Sequence, residues 1–100
     1  MSTDINAAKV TDFEPLRNEK LKLQAGEQDL ELELIEAVNI GKAHGDRRQP
    51  FSVLFRCEGQ QEPLPQGTYP IEHAKLGRVE LFLVPLGPDK EGMQYEAVFA

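Results

Sequence analysis

One hundred residues carrying 11 Lys and Arg against 17 Asp and Glu give a net charge of −6, in a chain sized for one domain that buries about two-thirds of its unfolded surface without covalent staples. That balance argues against a nucleic-acid partner, whose phosphates it would repel, and the single Cys57 excludes an internal disulfide. No apolar run approaches the roughly 20 residues of a membrane helix, and the opening MSTDINAAKV lacks the basic start and apolar centre of a secretory signal, so a cytoplasmic protein with no membrane contact is expected.

Residues 1–10 are small and polar and read as a flexible N-terminus, leaving one all-β domain over 11–100. Thr11 with Glu14 three residues on has the spacing of a capping box. It predicts a helix of one or two turns, with Pro15 near its start and Phe13 and Leu16 on its apolar side.

From Glu19 the apolar period becomes two. Leu21 and Leu23 alternate with lysines, and after AGEQD the alternation resumes at Leu30, Leu32 and Leu34. A hairpin that sets Leu23 opposite Leu30 also sets Lys22 opposite Glu31 and Lys20 opposite Glu33. GKAHGDRRQP, with two glycines and a proline, reads as a long loop over 41–50. FSVLFRC follows as a central strand, with Phe51, Val53, Phe55 and Cys57 on one face and Ser52, Leu54 and Arg56 on the other. A second irregular stretch over 58–67 contains Pro63 and Pro65.

Pro70 makes TYPIEH either an edge strand or one whose residue 70 turns its missing amide away from a neighbour. Its hairpin with RVELFLVP sets Ile71 against Val79, Tyr69 against Leu81 and Glu72 against Arg78, with Gly77 free to take a positive φ. GPDKEG then joins RVELFLVPL to MQYEAVFA. The expectation is a mainly β fold: a small antiparallel β-barrel or sandwich of about six strands with a short N-terminal helix. The barrel is favoured because closure removes exposed edges.

The phrases TDFEPL, FSVLFR, LPQGTYPIEH, LGRVELFLVPLGP and YEAVFA resemble those of a small bacterial family of uncharacterised proteins, a domain of unknown function. The resemblance spans Thr11 to Ala100 and supplies no catalytic residues. It implies a compact β-rich domain of bacterial or phage-like origin, an accessory component rather than an enzyme.

The residues themselves show no active site. Cys57 with His44 or His73 could form a nucleophile and base, but Cys57 shares the apolar parity of its strand. His44, His73 and Cys57 are too few and scattered for a zinc site. Glu31 and Glu33 have lysine partners, and Glu36 falls on the opposite parity. GKAHGD lacks the spacing of a phosphate loop. Neither cofactor nor metal is expected.

Two surfaces stand out as candidates. In the last hairpin Val79, Leu81 and Leu83 match Tyr95, Ala97 and Phe99 on a core face, while the opposite face carries Phe82, Val84 and Val98 among Glu80, Gln94 and Glu96. Such a face calls for a cover: the short helix, a closing barrel wall, or a protein partner or second copy. The leading expectation for function is therefore a non-catalytic structural or interaction module, an accessory part of a bacterial or phage-like assembly. The alternative is a small-molecule or anion-binding barrel that uses Lys42, His44, Arg47 and Arg48 of the 41–50 loop beside the barrel mouth.

Overall fold

Alternating Leu, Val and Phe along six segments supply one apolar face per strand, and the chain closes those faces on each other. The structure is a computed structural model that describes residues 9–42, 45, 49–59 and 64–99. A helical turn α1 (Val10–Phe13) runs into a 3-10 turn (Glu14–Leu16), followed by β1 (Lys20–Ala25), β2 (Gln28–Asn39), β3 (Phe51–Glu58), β4 (Gly67–His73), β5 (Gly77–Pro88) and β6 (Gly92–Phe99). The strands form a closed antiparallel barrel in the order β1-β2-β3-β6-β5-β4. The choice between barrel and sandwich thus falls to the barrel.

The β1–β2 and β4–β5 hairpins adopt the register their charges and apolar residues specify. Leu23 faces Leu30, with Lys22 opposite Glu31 and Lys20 opposite Glu33. Gly26, with φ 63°, opens the two-residue turn, where a positive φ matches the twist of the strands. Ile71 faces Val79, Tyr69 faces Leu81 and Glu72 faces Arg78. Gly77 takes φ 75° after the three-residue turn Ala74, Lys75 and Leu76. The lysine heads depart partly from the expected pairs. Lys20 reaches Glu33 at 3.8 Å and Glu58 at 3.7 Å, but Lys22 leans along the ladder to Asp29 at 3.3 Å. Long exposed side chains choose among neighbouring carboxylates at little cost.

Pro70 is not on an edge, because β4 pairs with β5 on one side and with β1 on the other. The β1–β4 ladder contains only Lys22↔Glu72 and Leu23↔Ile71. It stops one residue short of Pro70, whose missing amide would have interrupted it.

β2 changes parity part-way. Leu34 faces Phe55 and Glu36 faces Leu54, so Ile35 is an extra residue in a β-bulge. Glu36 therefore joins Glu31 and Glu33 on the outer face, against the parity expected of it. A carboxylate that would otherwise enter the core is returned to solvent.

The helix begins at Val10 with Lys9 as its N-cap, two residues before the expected cap Thr11. The Lys9 amide donates to the Asp12 carboxylate at 2.8 Å, so Asp12 closes the first turn in place of the expected Thr11 and Glu14. Residues 1–8 of the expected flexible segment lie outside the described residues. Phe13 and Leu16 are buried in the core. The Phe13 ring lies 5.8 Å from that of Phe51 and 5.3 Å from that of Phe99, which themselves stack at 4.4 Å. Three aromatic rings thereby stopper the end of the barrel from which the 41–50 loop departs.

Candidate functional site

Phe82 and Val98 point from the outer face of the closed barrel, away from the core that its inner faces build. Of the covers considered for Phe82, the N-terminal helix puts Phe13 and Leu16 into the core instead. Phe82 is 52% exposed and Val98 is 55% exposed, while Val84 is half-buried. Of the three sequence-predicted interface residues, two are open and the third is partly sheltered beside Glu96, its partner across β5 and β6.

The tertiary pairing enlarges this patch. Val38 faces Ser52 across β2 and β3, and Ser52 faces Val98 across β3 and β6. The adjacent row reads Glu36, Leu54, Glu96, Val84. A belt of Val38, Leu54, Val98, Val84 and Phe82 therefore crosses four strands. Near its centre Ser52, 7% exposed, donates to a Glu96 carboxylate oxygen at 2.9 Å. That bond satisfies the hydroxyl, so the belt carries no orphaned polar group there.

Val38 and Leu54 were missed at the sequence level. Leu54 was placed on the outward face of its strand, but only the β3–β6 ladder brings it beside Val84 and Glu96. Val38 would face inward on an unbroken count from Leu30. The bulge at Ile35 turns it out, and the one signal for that was Glu36, a charge at a position the count assigned to the core.

A second polar constellation sits at the β5–β6 turn. Asp89 Oδ2 accepts from Arg56 Nε at 2.8 Å and from Gln94 Nε2 at 2.8 Å, and Arg56 Nη2 lies 2.7 Å from the same oxygen. Asp89 Oδ1 accepts the Glu91 and Gly92 amides at 2.8 and 2.9 Å. Arg56 Nη1 meets Glu91 at 2.9 Å. The Arg56 hydrogen bond, helped by those amides and Gln94, holds the Asp89 carboxyl well below the usual carboxylate range. An anion this fully engaged serves as a turn lock, not as a proton carrier. GPDKEG joins the last two strands as expected, and its lock on Arg56 depends on the β3–β6 pairing.

The remaining candidate residues separate. Cys57 is buried, and burial raises its thiol pKa, which disfavours the thiolate. His73 Nδ1 accepts the Lys75 amide at 3.0 Å, which leaves Nε2 to donate to Glu19 at 2.7 Å. The ring thus closes the start of the β4–β5 turn and ties it to Glu19. Lys42 is exposed, whereas His44, Arg47 and Arg48 lie outside the described residues. Beside the root of that loop, Lys9, Val10, Thr11, Asn39 and Gln49 line a cleft of about 340 Å³. The barrel end beside this cleft is filled by Phe13, Phe51 and Phe99. Among the described residues no group of three or more His, Cys, Asp or Glu is placed to hold a metal ion, and no helix is long and apolar enough to cross a membrane.

These features define a small closed β-barrel with a filled interior and an apolar outer belt. The chain belongs to the family described as Domain of unknown function (DUF6916), whose model matches residues 8–99. No curated protein and no solved structure matches it.

Proposed function

We propose that the chain is a non-catalytic protein-interaction module, an accessory component of a bacterial or phage-like cytoplasmic assembly, that docks through the outer belt. The observation that carries this reading is that Phe82 and Val98 each remain more than half exposed although the barrel is closed and its core complete. Neither side chain belongs to the core, and an apolar patch with a polar rim is the surface expected of a docking site. The fully engaged Asp89 and the buried Cys57 support the non-catalytic part of the reading.

The test compares wild type with Phe82→Ser/Val98→Ser. Both proteins are examined by circular dichroism and light scattering, and both are used as bait in cells of the source organism. The double variant is expected to keep its spectrum while losing a protein that wild type retains. Equal recovery by both baits, or unfolding of the double variant, would overturn the proposal.

A further inference from the structure

The belt carries a charge pattern as well as an apolar one. Glu36 on β2, Glu80 on β5 and Glu96 on β6 all project from its outer face, next to or two residues from its apolar members. One nearby cation, Arg17, lines a cleft with Glu14, Glu36 and Val38 at the β2 end of the belt, where the carboxylates outnumber it; the others are engaged or lie further off. Arg56, on the same face of β3, is held by Asp89 and Glu91. Arg78, four residues from Phe82, stands opposite Glu72. Lys42 lies beyond Ile40, at the root of the loop. The docking face is thus an apolar strip set among carboxylates, on a chain of net charge −6.

Resting on the interaction reading above, we infer that the occupant of this belt is a protein surface of complementary chemistry: an apolar centre flanked by Lys or Arg. Buried apolar contact with Phe82, Val98 and Val38 holds such a partner, and Glu36 and Glu80 choose it and speed its approach. A second copy of this chain fits less well. A two-fold contact would bring the same carboxylates toward each other. The stretch of β4 that the short β1 ladder leaves unpaired, residues 67–70, includes Pro70, which cannot donate to a strand of a second copy. Nucleic acid and anionic lipid are repelled by the same groups.

The experiment places the photo-crosslinking amino acid p-benzoylphenylalanine at position 82 of the full chain in source cells and identifies the adduct and its contact peptide by mass spectrometry. The expected adduct is with one other polypeptide, through a peptide in which Lys or Arg flanks apolar residues. In lysate, its yield is expected to fall at least about five-fold between roughly 0.05 and 0.5 M salt, because screening over that range shortens the reach of surface charge to a few ångströms. Glu36→Lys/Glu80→Lys is expected to lower the yield similarly, with circular dichroism confirming the fold. Should that variant unfold, the salt series on the unreversed protein decides. An adduct with a second copy, a neutral or acidic contact peptide, or a salt-independent yield overturns the basic partner and leaves the interaction module standing. The absence of any adduct removes both.

Discussion

Two phenylalanines in this barrel occupy sites opposite to what their local structure suggests. Phe13 belongs to a helical turn of four residues, too short to be stable by itself, yet it is fully buried against Phe51 and Phe99. Phe82 lies within the twelve-residue strand β5, yet half of its surface is open. The difference shows that burial here follows the side of the barrel wall, not the regularity of the backbone. A weak element pointing inward is secured by the core, while a strong strand pointing outward presents what it carries.

That comparison can be broken most forcefully from the inside. Removal of the stopper by Phe13→Ala should cost about 3–5 kcal/mol, since the site has rigid rings on two sides and cannot collapse. Urea unfolding would measure it, and a loss below about 1 kcal/mol would mean the helix only rests on the barrel. Gly92→Ala comes next. A Cβ at residue 92 would overlap the Cys57 carbonyl oxygen and lie 2.8 Å from the Glu58 Cα, in the ladder that joins β3 to β6. Overpacking against backbone should destabilise by about 3 kcal/mol, read from the same curves.

The turn lock should show itself in acid. Because the folded pKa of Asp89 lies below its unfolded value of about 3.9, its contribution is fully present above that pH and fades as pH falls through the folded value. Asp89→Asn should therefore lower the melting temperature at neutral pH, with the gap to wild type narrowing below about pH 4. A gap that is constant with pH would assign the effect to the turn backbone, not to the charge.

On the outer wall the expected effects are smallest. Phe82→Ser and Val98→Ser should each cost no more than about 1–1.5 kcal/mol, the loss of strand propensity and of the covered half of each side chain. A large loss for either would mean that the chain itself covers the belt. The Cys57 thiol should react with a disulfide reagent only at the rate of unfolding, since burial raises its pKa and blocks access.

The local order of this fold was legible in the residues. Period-two leucines and opposed charges specified the Leu23↔Leu30 and Ile71↔Val79 registers, because in a hairpin the partner is close along the chain and one slip exposes every leucine. Phe51, Val53, Phe55 and Cys57 were likewise readable as core from alternation alone. The helix was visible, but its destination was not, since the same Phe13 and Leu16 could plug an end or cover a face.

Tertiary structure alone decided three further matters. It paired β3 with β6 and β1 with β4, contacts made only when the sheet closes. It turned Glu36 and Val38 outward through the bulge at Ile35, where solvating a carboxylate outweighs an unbroken ladder. It also brought Val38, Leu54, Val98, Val84 and Phe82 into one belt from four strands. Sequence by itself determined which side chains share a strand face, because that follows from the two-residue repeat of the backbone. Which faces meet, and which are left to water, is set by closure of the whole barrel, a condition no local run of residues contains.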